Sequence, residues 1–169
     1  MGTIVASTPL TSKQEVIDLI NQVNTSNLTV NDVSFSLPAI VAYQSRNTKL
    51  TVSAVPGSAY AGSVDVYYNR LLLTDLGYIG IQTVAPLDFP GFLQAISAQE
   101  NIDLLPEEFS PVTMPAIDDG GLATIQLVAL STALKWYGQT SADYALNLPP
   151  ELPALHQMIN VTLPAPGYL

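Results

Sequence analysis

The fold turns on Leu50-Thr51-Val52-Ser53-Ala54-Val55-Pro56-Gly57-Ser58-Ala59-Tyr60-Ala61-Gly62-Ser63-Val64-Asp65-Val66-Tyr67-Tyr68. Leu50, Val52 and Ala54 alternate with Thr51 and Ser53, and Val64, Val66 and Tyr68 alternate with Asp65 and Tyr67. Successive side chains of a strand point to opposite faces, so each arm has one apolar face to bury and one polar face to leave in water. Between the arms, Pro56 presets its φ and Gly57 and Gly62 tolerate the conformations a turn demands. The pattern predicts an antiparallel β-hairpin, with Arg70-Leu71-Leu72-Leu73-Thr74 continuing or following its second arm.

Working outward, Ser12-Lys13-Gln14-Glu15 has the spacing of a capping box, in which serine and glutamate satisfy backbone N–H groups reciprocally. Val16, Leu19, Ile20 and Val23 follow at i, i+3, i+4 and i+7, an amphipathic helix that Asn24-Thr25-Ser26-Asn27 ends. Beyond the hairpin, Pro86 to Pro90 breaks the chain. Asp88 can cap a second helix with Pro90 in its first turn and Phe92, Leu93 and Ile96 on its apolar side. A proline- and acid-rich connector, the loop Asp118-Asp119-Gly120-Gly121, a β region from Leu122 to Leu130 and a further strand near Leu134 to Tyr137 complete this half. The tail carries Pro149, Pro150, Pro153, Pro164 and Pro166; within it Met158 to Leu163 can add one short strand.

The two halves resemble each other. Ser12 and Asp88 are 76 positions apart, and at that spacing Val16, Ile17 and Ile20 fall on Phe92, Leu93 and Ile96. Asp32-Val33-Ser34 falls on Glu108-Phe109-Ser110, and Pro38-Ala39-Ile40 meets Pro115-Ala116-Ile117 one residue out of step. Leu50, Val52 and Ala54 fall on Ile125, Leu127 and Ala129, and Tyr60-Ala61-Gly62 on Trp136-Tyr137-Gly138. Collinear matches at nearly constant offset point to an internal repeat. The fold class expected is therefore α+β and β-rich, with two tandem helix-plus-antiparallel-hairpin modules and a Pro-rich C-terminal tail. The expected divisions are an N-terminal arm (residues 1–11), module 1 (12–80), module 2 (86–148) and the tail (149–169).

Composition narrows the function. Of 169 residues, 48% are hydrophobic and only 11% charged, well below the roughly 25% usual in soluble proteins. A surface so poor in charge suits a chain partly covered by partner subunits, although Ser, Thr, Asn and Gln can also keep a surface wet. The net charge is −9, and the five basic residues are Lys13, Arg46, Lys49, Arg70 and Lys135. Nucleic-acid binding requires several phosphate-neutralising cations, so neither nucleic acid nor an anionic membrane is expected as a partner. There is no cysteine, hence no disulfide and no thiolate chemistry. The N-terminus lacks the basic and apolar regions of a secretion signal, and no apolar run is long enough to span a membrane.

Catalysis needs convergent acids, bases or nucleophiles. The single histidine, His156, lies in the tail near Glu151 without an evident nucleophile. Glu107-Glu108 and Asp118-Asp119 offer carboxylates for a hard metal, but the calcium-loop spacing is absent. Phosphate-cradling glycine motifs are also missing. No catalytic residue, metal or cofactor is therefore expected. The aromatic residues lean to tyrosine and cluster around the hairpins, and such side chains with polar tips are enriched at interfaces. Tyr60, Tyr67, Trp136, Tyr137 and Tyr144 are the interface candidates.

The segment Asn47-Thr48-Lys49-Leu50-Thr51-Val52-Ser53-Ala54-Val55-Pro56-Gly57-Ser58, followed by Gly62-Ser63-Val64-Asp65-Val66-Tyr67-Tyr68-Asn69-Arg70-Leu71, resembles a family of uncharacterised virion structural proteins of large tailed bacteriophages. So does the preceding helix with Leu28-Thr29 and Asn31-Asp32-Val33; the likeness covers roughly residues 10–140. In the second copy Ala129-Leu130-Ser131-Thr132-Ala133 replaces the Pro-Gly turn, which leaves that turn undefined. The resemblance implies a non-enzymatic component of a virion (tail, baseplate, fibre attachment or head surface). Such a component is assembled in the bacterial host cytoplasm and contacts other virion proteins or itself as an oligomer. The alternative is a carbohydrate- or receptor-binding β-rich module with Trp136 as a stacking platform. Because the second half diverges and gains Trp136, the partner is expected on that half and its tail.

Overall fold

The computed structural model describes residues 2–118 and 120–147. The protein is α+β and β-rich, with two α-helices among the described residues and strands in mixed sheets. The helices start where their capping residues stand. Helix α1 (Lys13–Asn24) is capped by Ser12, whose hydroxyl accepts from Glu15 N at 3.2 Å. Only half of the capping box forms. The Glu15 carboxylate turns to Thr11, accepting from its N at 2.6 Å and its Oγ1 at 2.9 Å. Val16, Ile17 and Ile20 are buried, whereas Val23, in the last turn, is 56% exposed. Helix α2 (Phe89–Glu100) begins on Asp88, whose Oδ1 accepts from Gly91 N at 2.8 Å, and buries Phe89, Phe92, Leu93 and Ile96. Both helices end on a non-glycine residue in the left-handed region, Thr25 and Asn101, each at φ 52°. Among the described residues no helix is long and apolar enough to cross a membrane.

The first sheet contains β1 (Gly2–Val5), β2 (Val33–Phe35), β3 (Ala39–Tyr43), β4 (Arg46–Ala54) and β5 (Ser63–Tyr68). The hairpin expected from the alternation is β4–β5, with Leu50 opposite Val66 and Val52 opposite Val64. β1 lies parallel to β5 on one side; β2 and β3 both pair antiparallel with β4 on the other. After β6 (Leu71–Leu72) the second sheet follows, from β7 (Ile79–Thr83), β8 (Leu122–Val128) and β10 (Gln139–Leu146), in the order β7-β10-β8. β7 is parallel to β10 and β8 antiparallel to it. A two-residue strand, β9 (Trp136–Tyr137), pairs parallel with β6.

The order strand, helix, 3-10 turn, hairpin therefore occurs twice, in matching register. Ile4 faces Val66 as Ile79 faces Ala142. Val33 faces Ala54 as Phe109 faces Ala129. Asn21 Oδ1 accepts from Leu28 N, and its counterpart Ser97 Oγ accepts from Leu104 N. Ala54 N donates to Gly62 O and Ala129 N to Gly138 O, both at 3.0 Å, with both glycines at positive φ. The turn left undefined in the second copy survives. Ala133 N reaches Leu130 O as Ser58 N reaches Val55 O, and none of residues 130–133 takes the positive φ that Gly57 supplies in the first.

The boundaries differ from those expected. Gly2–Val5, read as part of an N-terminal arm, is a sheet strand. Leu71–Leu72, assigned to module 1, and Ile79–Thr83, of which Ile79 and Gly80 were assigned to it, pair with the second half. The units run from Gly2 to Tyr68 and from Ile79 to Leu146, because the parallel partner of each hairpin precedes its helix, a long-range pairing that local pattern does not reveal. β10 was missed altogether, although Ala142, Tyr144 and Leu146 are buried on one face of it. The tail from residue 149, with His156 and the Met158–Leu163 strand, lies outside the described residues.

Each sheet and its helix enclose a core, and the cores exchange one residue. Leu73, on the segment leaving the first unit, is fully buried among Phe92, Ile96 and Trp136 of the second. Leu134, from the second unit, packs into the first core.

Candidate functional site

Of the buried polar residues Thr48, Asp65, Arg70 and Glu108, all but Asp65 gather at the joint between the units. Arg70 is 6% exposed. Its Nε donates to Thr48 Oγ1 and its Nη1 to Ala133 O, both at 3.2 Å, and its guanidinium lies 5.3 Å from the Tyr137 ring centre. Asn47 holds the Arg70 backbone from both sides, accepting from Arg70 N and donating to Arg70 O at 2.8 Å each. Across the joint Glu108 Oε1 accepts from Leu134 N at 3.1 Å and Lys135 N at 3.0 Å. Two atoms here have no partner among the described residues: Glu108 Oε2 and the Tyr68 hydroxyl. Burial pushes the Glu108 carboxyl above its ordinary range, against the pull of the two N–H groups. Burial likewise pushes the Tyr68 phenol up. A charged group out of water must be paired or change its protonation, and this cluster does the former for Arg70 and favours the latter for Glu108. Its chemistry is that of a fastening between two units.

The other basic residues are also engaged within the chain. Arg46 Nε donates to Ala6 O at 2.6 Å, Lys49 pairs with Asp65 at 2.8 Å, Lys135 with Asp103 at 3.5 Å, and Lys13 lies over Phe35. The Lys49 and Thr51 hydrogen bonds hold Asp65 below the usual carboxylate range, although burial opposes them. The carboxylates weighed as a metal site diverge: Glu107 is exposed while Glu108 faces the joint, and Asp119 lies outside the described residues.

The interface candidates separate. Trp136 is 1% exposed and its Nε1 donates to Asp103 O at 3.1 Å, so it is a core residue and no stacking platform. Tyr144 is equally buried, edge-on to Phe92, its hydroxyl accepting from Leu87 N. Period-2 alternation gave no sign of which aromatics face inward. Tyr137 is half-buried against Arg70. Tyr67 stacks on Tyr43, ring centres 4.1 Å apart. Tyr60 lines a groove in the first unit.

Two accessible apolar surfaces lie on the first unit, while the second exposes Val84 and Leu122. One is β3. Among the described residues it pairs with β4 alone, and none of them pairs with its outer edge. From Val33 to Ser45 the chain carries no charged residue, and Ile40 is 70% and Leu37 59% exposed. In the second unit the counterpart Ile117 packs against the core. The other surface is the groove of about 270 Å³ between the last turn of α1 and the 55–62 loop. Sequence reasoning missed both, having read Pro38-Ala39-Ile40 only as a repeat marker.

These features define an α+β protein whose two similar units are fastened by a buried polar joint and which leaves apolar side chains exposed on both. The chain belongs to a family of unknown function, DUF7941, whose model matches residues 6–164. No curated protein and no solved structure matches it.

Proposed function

We propose that the chain is a non-enzymatic structural subunit of a tailed-phage virion, in the tail, baseplate, fibre attachment or head surface, joined to other virion proteins or to copies of itself. The observation that carries the assembly reading is the β3 edge. Soluble proteins blunt free edges with charge, proline or a covering element, because unpaired backbone groups recruit further strands. β3 has no charge and exposes Ile40, while the equivalent residue of the second unit is tucked away. Such an edge suits strand addition by a partner chain. The joint supports the same reading, since Arg70 and Glu108 are taken up in holding the units together. The virion setting comes from the likeness of the 47–71 segment. Mass spectrometry of purified particles tests it, and absence of the chain from them overturns it. Within particles, Ile40→Lys should reduce incorporation while leaving the isolated chain folded.

A further inference from the structure

The second unit shows how this fold closes the mouth between its helix and its hairpin. The closing piece arrives from the first unit. Leu71–Leu72 pairs with Trp136–Tyr137, Leu71 N donating to Lys135 O at 2.8 Å. Leu72 Cδ1 lies against Gly138, and Leu73 and Leu76 pack on the core that Trp136 roofs. In the first unit no described residue covers the same positions. Ile20, Leu28, Val52, Ala54, Tyr60 and Gly62 line the groove; they stand where Ile96, Leu104, Leu127, Ala129, Trp136 and Gly138 stand in the second unit. A Cβ on Gly62 would meet nothing within 4 Å, whereas one on Gly138 would meet Leu72.

The chain carries a second version of the closing piece. At the offset of 76 that relates the helices, Asn147-Leu148-Pro149-Pro150-Glu151-Leu152 falls on Leu71-Leu72-Leu73-Thr74-Asp75-Leu76 and keeps leucine, acid and leucine at the second, fifth and sixth places. It follows β10 as the first version follows β5, and it lies within the family match. Asn147 N is committed to Thr83 O at 2.8 Å.

We propose that Leu148–Leu152 of one copy closes the first-unit groove of a second copy, as Leu72–Leu76 closes the second unit within the chain. The donor belongs to another copy because of how the units are related. A two-fold between them would already place Asn147 beside Tyr60, as Leu71 stands beside Trp136; instead Asn147 sits on Thr83, and the described residues that line the groove all lie between Gly2 and Val64. Repeating the step from the first unit to the second therefore leads onward to a new molecule. Such a contact joins unlike surfaces, giving a ring if the rotation closes and an open helical stack if it does not. Leu148 covers Gly62, and the apolar groove loses its exposure to water.

This deepens the assembly-subunit reading and rests on it. The test is sedimentation velocity on the full-length chain over a concentration series, with Leu148→Asp (donor impaired) and Ala61→Arg (groove impaired), both checked for folding by circular dichroism. The wild type should grow into larger species, and each variant alone should lose them. Mixing the two variants should give a one-to-one complex and nothing larger, since one keeps an intact groove and the other an intact donor. A misfolded variant would not restore association on mixing. A wild type that stays monomeric, association insensitive to both variants, or a mixture that stays monomeric overturns the head-to-tail contact. A chain monomeric when pure yet present in purified particles overturns this contact and leaves the assembly-subunit reading standing.

Discussion

Leu72 Cδ1 lies 2.8 Å from the point where a Cβ on Gly138 would stand, so the strand leaving the first unit passes closely over the second at a glycine. Gly138 is at φ 83° and its counterpart Gly62 at φ 88°, with open space around the latter. Both substitutions to alanine incur backbone strain, of order 1–3 kcal/mol. Gly138→Ala must in addition displace Leu72. Urea unfolding should show Gly138→Ala to be clearly the more destabilising of the two. Equal losses would mean that Leu72 yields at no cost.

Ser12 caps α1 through Glu15 N, and Thr11 takes the Glu15 carboxylate. Ser12→Ala should lower stability by about 1 kcal/mol, the ordinary value of a cap. The loss should not grow further through the Glu15 side chain, since that group is held by Thr11. Thermal unfolding unchanged from wild type would argue against the cap.

The hairpin, both helices and the helix caps were legible because each is written in a local pattern: alternation, an i, i+3, i+4 stripe, a Ser or Asp before an apolar run. The β3–β4 hairpin was not, since its two-residue turn is Gln44-Ser45, both at positive φ (46° and 62°), where Asn-Gly is the usual signal. β1 and β7 escaped because each pairs in parallel with a strand far along the chain. The open surfaces were illegible for a related reason. Whether Ile40 and Ile117 are exposed depends on what the fold lays over them, and the two have the same neighbours, Pro and Ala, before them in sequence.

Trp136 is the only tryptophan, and it is buried at the joint where β6 and β9 meet. Its fluorescence should be blue-shifted in the native chain and report unfolding of the joint. Trp136→Ala should destabilise by about 3–5 kcal/mol, the range for truncating a large core aromatic. An emission maximum at the solvent-exposed wavelength would place the indole outside the core.

Glu108 gives the joint a pH dependence of definite sign. Burial raises its carboxyl pKa above that in the unfolded chain, despite the N–H groups of Lys135 and Leu134. The folded state thus binds the proton more tightly. That contribution to stability is fully present below the unfolded pKa and is lost as pH rises through the folded one. When ionised, the group leaves Oε2 without a partner among the described residues. Glu108→Gln retains an acceptor for the two N–H groups and carries no charge at any pH. The variant should therefore equal or exceed the wild type in stability at neutral pH, and the difference should shrink or reverse as pH falls below the carboxylate range. Asp65 contributes with the opposite sign, since its lowered pKa makes it stabilising above the unfolded value and lost in acid. It is present in both chains and cancels in the comparison. Urea denaturation of wild type and Glu108→Gln across acid and neutral pH measures the term directly. A variant markedly less stable than wild type at neutral pH would show that Glu108 works as a charge, with Arg70 or Lys135 as its partner.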